Sequence, residues 1–159
     1  MINITTNSDN VKPIKVLTAE NYVLSAKYLK ILLSKNGDIQ YLGNAESEIE
    51  IKQYLSNWNA DILLLDIELP GFEAEETMNF FRETYPQLKV IIYSDFDSDS
   101  SSLSKLIKLG ACGYITKDAD HHKISEAVKI AYSGSTSFET QLGSKIKTKV
   151  LESFFNIQH

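Results

Sequence analysis

Residues 60–71 read Ala-Asp-Ile-Leu-Leu-Leu-Asp-Ile-Glu-Leu-Pro-Gly, and this stretch decides the fold. The four apolar residues before Asp66 predict a strand buried on both faces, because a parallel strand covered by helices shows an unbroken apolar run. Pro70 and Gly71 then predict a turn. Asp66 is therefore expected at the carboxyl end of a central strand, where open α/β sheets place their ligand crevices. Taken alone, such an aspartate is more often a turn cap than a functional group.

Strand and helix patterns alternate on both sides of this stretch. Apolar and β-branched runs predict strands at 14–18, 39–42, 62–66, 90–94 and 113–116, and apolar residues at helical spacing follow each strand. Five strand–helix units in strict alternation predict a parallel sheet with right-handed crossovers and helices on both faces. The predicted fold class is α/β, a doubly wound five-stranded parallel sheet of the flavodoxin-like type with strand order 2-1-3-4-5.

The 159 residues are enough for one domain with short tails. We expect a disordered polar tail at 1–13, the folded domain at 14–134, and an extra amphipathic helix or linker at 135–159. The last segment places four apolar residues on one helical face, namely Leu142, Ile146, Val150 and Phe154.

Composition excludes several classes of protein. No apolar run approaches the ~20 residues that a membrane span needs, and residues 1–13 lack the basic start and apolar block of a signal peptide. The single Cys112 cannot form an internal disulfide, so a cytoplasmic protein with no membrane partner is expected. The net charge of −5 argues against direct nucleic-acid binding, which depends on clustered Lys and Arg.

Polar residues follow four of the five predicted strands. Glu20 and Asn21 end the first strand, Asp66 the third and Ser94 the fourth, and Lys117 follows the fifth. Each has an ordinary explanation as a cap, a turn residue or a solvated lysine. Because the carboxyl ends of parallel strands meet at one edge of the sheet, five such residues together indicate a site.

The chemistry these residues could share is phosphoryl transfer to an aspartate. A carboxylate acts as a nucleophile toward phosphorus when a divalent ion neutralises the charge. Glu20 and Asp66 would hold Mg²⁺, which prefers oxygen ligands. Ser94 could donate to a phosphoryl oxygen, and Lys117 could place a positive charge where negative charge develops. Neither a phosphate-binding glycine loop nor a dinucleotide fingerprint occurs in the sequence.

At these positions the sequence resembles the receiver domain of two-component response regulators, the CheY-like fold. The resemblance runs from about Ile14 to Gly134 and rests on the motif at 64–71, on Ser94, and on the motif Gly-Tyr-Ile-Thr-Lys-Asp at 113–118. The sequence around the lysine, Gly-Ala-Cys-Gly-Tyr-Ile-Thr-Lys-Asp-Ala, is similar to that of the NarL/LuxR-type subfamily.

The resemblance implies that Asp66 accepts a phosphoryl group from a sensor histidine kinase or a phosphotransfer protein. It implies that Ser94 and Tyr114 reorient on phosphorylation, and that the backbone carbonyl of Glu68 joins the metal ligands. Such a domain is a self-phosphorylating acceptor with at most an autophosphatase activity, and it is not a turnover enzyme. A homodimer is a further expected partner.

Two departures from the family pattern stand out. The family has an acidic pair after the first strand, whereas here the second member, a direct metal ligand, is Asn21. At short range one unit charge is worth several kcal/mol before desolvation offsets it, so Mg²⁺ affinity is expected to fall by roughly one to two decades. Subfamily members also commonly continue into a helix-turn-helix domain, which is not found within these 159 residues; DNA would be contacted only through such a domain.

Two other functions remain open at this stage. Asn21 favours a pseudo-receiver that acts as a phosphorylation-independent interaction or dimerisation module. The order Asp66-Ile67-Glu68 after an apolar strand is also found in aspartate-nucleophile phosphatases, although that class needs a cap domain for which the chain has no room.

Overall fold

The computed structural model describes residues 11–95 and 100–136. Its strands are β1 (Ile14–Ala19), β2 (Ile39–Ala45), β3 (Ile62–Leu65), β4 (Lys89–Ser94) and β5 (Gly113–Thr116). The helices of these residues are α1 (Val23–Ser34), α2 (Glu48–Asn57), α3 (Ala74–Thr84), α4 (Ser100–Lys108) and α5 (His121–Tyr132). The strands form one sheet of order β2-β1-β3-β4-β5 in which every neighbouring pair is parallel, so the predicted fold class is confirmed.

The central strand β3 is buried on both of its faces. Leu63 and Leu65 belong to an apolar cluster that also holds residues of α2, α3 and α4. Ile62 and Leu64 face the other way, into a cluster with residues of α1 and α5. All four side chains have at most 1% of their surface exposed. The unbroken apolar run is thus explained by a strand that supplies alternate residues to two cores.

Two helices begin at residues whose side chains cap them. The Ser47 hydroxyl accepts a hydrogen bond from the Glu50 N–H at the start of α2, and the Asp120 carboxylate accepts one from the Lys123 N–H at the start of α5. These bonds satisfy backbone donors that a first helical turn leaves unpaired. The caps fix where the chain leaves the loops that follow β2 and β5.

The edge strand β2 is longer than the predicted 39–42. The register of β2 against β1 shifts between Val16 and Leu17, so that Leu17 pairs with Gly43 instead of Leu42. Gly43 has φ +149°, and a Cβ at this position would lie 2.9 Å from the Tyr54 ring. This bulge lets β2 continue to Ala45 and places Asn44 opposite Thr18, next to the end of β1. No periodic pattern of apolar residues indicates such a bulge.

The expected tail at 1–13 and the expected helix or linker at 135–159 fall largely outside the described residues. Their sequence-based assignments remain predictions.

Candidate functional site

Three charged side chains meet where β1, β3 and β5 end. Glu20 follows β1, Asp66 follows β3 and Lys117 follows β5. The two carboxylates are completely buried, and 8% of the Lys117 side chain is exposed. The Lys117 Nζ lies 2.8 Å from Asp66 Oδ2 and 2.8 Å from Glu20 Oε2. One ammonium group therefore bridges both acids, and the convergence expected from the strand order is present.

The second oxygen of each acid is held by the backbone. The Glu68 N–H donates to Asp66 Oδ1 at 2.9 Å, and the Tyr22 N–H donates to Glu20 Oε1 at 2.9 Å. In both cases the donor is two residues after the acid, and for Asp66 this is the local turn that aspartates favour. The backbone of its own loop thus orients each carboxylate, independently of Lys117.

The electrostatics of these three groups explain how two acids can be buried together. With both carboxylates ionised, the two negative charges and one positive charge leave a single net negative charge. Burial raises the pKa of Glu20, against the opposing effect of the hydrogen bond from Lys117. Burial lowers the pKa of Lys117, but the bonds and charges of Asp66 and Glu20 outweigh it, so its pKa is raised overall. Lys117 therefore stays charged at neutral pH.

A second layer of polar contacts holds the end of β1. The Asn44 Nδ2 donates to the Glu20 carbonyl oxygen at 2.9 Å, and the Thr18 hydroxyl donates to Asn44 Oδ1 at 2.8 Å. The Glu20 N–H in turn donates to the Ala45 carbonyl. No sequence pattern predicted a role for Thr18 or Asn44. Neither residue ends its strand, and only the bulge at Gly43 brings Asn44 to this position.

Ser94 lies at the same edge as the charged groups. It is buried at the end of β4, and its carbonyl oxygen accepts a hydrogen bond from the Lys117 N–H at 3.2 Å. Its hydroxyl donates to the Asp95 carbonyl oxygen at 3.3 Å. Ser94 is therefore next to the site through its backbone, while its side chain bonds the following peptide.

Tyr114 lies one strand away from Ser94 in the buried apolar cluster that faces α3 and α4. It has 1% of its surface exposed, so its ring points into the fold. Tyr114 is the second residue of β5 and pairs with Ile92 of β4. The predicted switch pair therefore consists of one buried serine and one buried tyrosine on neighbouring strands.

The remaining predicted metal ligands are solvent-exposed. Asn21 and Glu68 flank the two buried acids in sequence, and both are exposed. Among residues 11–95 and 100–136, no group of three or more His, Cys, Asp or Glu side chains is arranged to hold a metal ion. Of the side chains predicted to hold the metal, Glu20 and Asp66 are carboxylates and Asn21 is a neutral amide. The available donors are nevertheless all oxygen atoms, as Mg²⁺ requires.

Comparison with known proteins agrees with this geometry. The family description "Response regulator receiver domain" matches residues 16–129. This chain belongs to that family. Among curated proteins, it is 27% identical over 143 residues to the oxygen regulatory protein NreC of Staphylococcus epidermidis, covering 89% of this chain and 63% of that protein. It is 26% identical over 125 residues to the transcriptional regulatory protein DegU of Brevibacillus brevis, covering 79% and 52%.

Solved structures show the same fold. A LuxR-family two-component response regulator from an Aurantimonas species superimposes with a TM-score of 0.76 at 17% identity, over 91% of this chain and 99% of that one. The receiver domain of the response regulator NarL from Mycobacterium tuberculosis gives 0.71 at 21% identity, over 77% and 98%. The predicted receiver-domain family is confirmed by the match over residues 16–129, and the proteins to which the chain is similar include response regulators of the LuxR type.

Membership of the family establishes the kind of activity. A receiver domain is a signalling module that responds to phosphorylation, and response regulators act with sensor histidine kinases. Receiver domains generally bind Mg²⁺ at the phosphorylation site. The chain spans between half and two thirds of the length of the curated relatives named above. None of the described helices combines the length and apolar character needed to cross a bilayer.

Proposed function

We propose that this receiver domain is switched by phosphorylation of Asp66. The observation that carries the proposal is the Lys117 ammonium group 2.8 Å from an oxygen of the buried Asp66 and 2.8 Å from an oxygen of the buried Glu20. A buried carboxylate that is already oriented by the Glu68 N–H and paired with a cation is prepared to accept a phosphoryl group. A simple turn cap would need neither the burial nor the cation.

The proposed reaction transfers a phosphoryl group from a phosphohistidine to this carboxylate. An Asp66 oxygen attacks phosphorus, an O–P bond forms, and the bond from phosphorus to the imidazole nitrogen of the donor breaks. The donor would be a sensor histidine kinase or a phosphotransfer protein. Lys117 has three N–H donors, of which two contact Glu20 and Asp66, so it can bond a phosphoryl oxygen as charge develops there.

Mg²⁺ would be held by the Glu20 and Asp66 carboxylates, the Asn21 amide oxygen and the backbone carbonyl of Glu68. When bound, the ion neutralises the charges of the carboxylates and the incoming phosphoryl oxygens. Asn21 contributes an oxygen but no charge, so we expect weaker Mg²⁺ binding than an acid at that position would give.

The switch would operate through Ser94 and Tyr114. The Ser94 hydroxyl donates to the neighbouring peptide carbonyl of Asp95 at 3.3 Å, a long bond for a hydroxyl donor. A phosphoryl group on Asp66 would offer a charged acceptor, and charge-assisted bonds are the stronger ones. Rotation of the Ser94 hydroxyl toward that acceptor would disturb the packing between β4 and β5, where Tyr114 lies.

The output would be a changed surface for partners. Among the solved structures of the same fold is one of two RcsB dimers bound to two parallel DNAs. By analogy we propose that this domain also forms homodimers, and that DNA is contacted through a separate domain. We further propose a cytoplasmic location, because the kinases that supply the phosphoryl group work there. The buried Asp66 and its pairing with Lys117 support this proposal over the phosphorylation-independent alternative, which rests on Asn21.

The test is to incubate the chain with Mg²⁺ and acetyl phosphate and to measure its mass. We expect the mass of one added phosphoryl group, which Asp66→Asn abolishes. Asp61→Asn is the matched control, because Asp61 lies before the same strand and accepts a bond from the Lys15 N–H at the opposite edge. An unmodified wild-type chain, or an adduct that persists in Asp66→Asn, would contradict the proposal.

A further inference from the structure

Two tyrosine rings flank the ammonium group that bridges the site. The Lys117 Nζ lies 4.4 Å from the centre of the Tyr22 ring and 5.9 Å from the centre of the Tyr93 ring. Both distances are within the range at which a cation is attracted to an aromatic face. The Tyr93 ring is buried in the core, whereas 52% of Tyr22 is exposed. Of these two rings, Tyr22 is therefore the one at the surface.

Tyr22 contacts both members of one ion pair. Its backbone N–H donates to Glu20 Oε1 at 2.9 Å, and the other oxygen of Glu20 forms an ion pair with Lys117. Its ring then lies against the same Lys117. The backbone of one residue thus orients the acid, while its side chain restricts the lysine.

The identity of Tyr22 is not explained by the helix that it starts. It occupies the N-cap of α1, where Ser, Thr, Asp and Asn are preferred, and its side chain makes no capping hydrogen bond. Half of its surface is exposed, so it is not a core residue. A residue that breaks a local preference without a local gain is expected where function imposes a different requirement.

We propose that Tyr22 is a positioning residue that holds the Lys117 ammonium at Asp66 and so sets the rate of phosphorylation. An aromatic face attracts a cation without using any of its N–H donors. The ring therefore restricts where Lys117 can go while leaving a donor for the phosphoryl group. This inference rests on the proposed phosphorylation of Asp66.

The test compares the rate of phosphorylation by acetyl phosphate at saturating Mg²⁺ in three variants at this position. Tyr22→Phe keeps the ring and is expected to stay within about twofold of wild type. Tyr22→Leu keeps apolar bulk without an aromatic face, and Tyr22→Ala removes both; each is expected to be about three- to tenfold slower. Tyr28→Ala is the control, since Tyr28 is a partly exposed tyrosine on the same helix.

A second measurement does not depend on phosphorylation. The ring of Tyr22 should shift the NMR resonances of the Lys117 side-chain CεH₂ group upfield, and Tyr22→Leu should remove that shift while Tyr22→Phe retains it. If the Tyr22 ring served only to fill space, Tyr22→Leu would leave the rate of phosphorylation unchanged. Equal rates in wild type and Tyr22→Leu, with the wild type phosphorylated, would overturn this inference alone. A wild-type chain that is not phosphorylated would instead overturn the proposed function.

Discussion

The two ends of β3 carry the same residue type in opposite roles. Asp61 precedes the strand and Asp66 follows it, and each carboxylate accepts a backbone N–H. The Asp61 carboxylate accepts from Lys15, and its own N–H and C=O extend the hydrogen bonds to the flanking strands β1 and β4. The Asp66 carboxylate is completely buried and pairs with Lys117. The Asp61 carboxylate bonds the backbone of the sheet, whereas the Asp66 carboxylate is paired with a buried cation.

The same contrast holds across the whole sheet. Buried polar residues concentrate at the carboxyl ends of the strands, at Glu20, Asp66, Ser94 and Thr116. Three of the five strands begin with isoleucines that are buried at the amino edge, namely Ile14, Ile39 and Ile62. Burying polar groups costs free energy unless they are paired. The carboxyl edge therefore carries a cost in stability that the apolar residues at the amino edge and in the strand interiors do not.

The largest expected effect is a difference in stability between a variant in the interior of β3 and a variant at its carboxyl end. Leu64→Ala removes a side chain that is 1% exposed and should lower the free energy of unfolding by about 2–5 kcal/mol. Asp66→Asn should lower it far less or raise it, because Lys117 remains paired with Glu20 and no unpaired charge is left. Urea unfolding of the two variants without Mg²⁺ measures the difference. Equal losses would show that the buried acid contributes to the fold as much as the core does.

The next effect concerns the neutral residue at the carboxyl edge. Asn21→Asp places a second acid beside Glu20 and should tighten Mg²⁺ binding by roughly 10- to 100-fold, because a charge close to a dication is favourable even after desolvation. Isothermal titration calorimetry with MgCl₂ measures it. Asn59→Asp adds the same charge at an exposed position before β3 and should leave the affinity unchanged. A similar gain in both variants would mean that net charge, and not the site, governs binding.

A smaller effect tests the polar layer beneath the site. Asn44→Ala removes the donor to the Glu20 carbonyl oxygen and should destabilise the fold by about 1–2 kcal/mol, since a shielded acceptor loses its partner. Gln40→Ala, at an exposed position of the same strand, is the control. Both are compared by urea unfolding. If the two variants are equally stable, Asn44 does not support the end of β1.

The smallest expected change concerns a thiol near the amino end of β5. Burial raises the pKa of Cys112, so less thiolate is present at pH 8 than for an exposed cysteine. Alkylation by iodoacetamide, followed by mass spectrometry, should therefore be slow in the native protein and faster in urea. Rapid alkylation of the native protein would indicate that the amino edge opens readily.

Most of the fold was predictable from local patterns. The apolar run before Asp66 identified a central strand, and the alternation of strand and helix signals identified the strand order through general rules of connection. Apolar residues at helical spacing were expected after each strand, and three such residues of α5, namely Ile124, Ala127 and Val128, are buried. The predicted end of β2 was wrong by three residues, because the bulge depends on pairing with β1 and leaves no periodic signal in the sequence.

The residues of the site, like the fold, were predictable only in part from the sequence. Glu20, Asp66, Ser94 and Lys117 were expected at one edge because each ends or directly follows a strand, and all four lie there. Their assigned roles in phosphorylation remain predictions. Asn44 and Tyr22 were not predicted, since their contacts depend on a register shift and on the direction of a ring.

The sequence alone determined which residues reach the carboxyl edge, because parallel strands all end on the same side of a sheet and the chain order names the residue at each end. Only the tertiary structure decided how they pair there. Side chains from β1, β3 and β5 are far apart in the chain, so the sharing of Lys117 between two acids and an aromatic ring follows from packing distances. Such distances are set by strand register and burial, which no local pattern records.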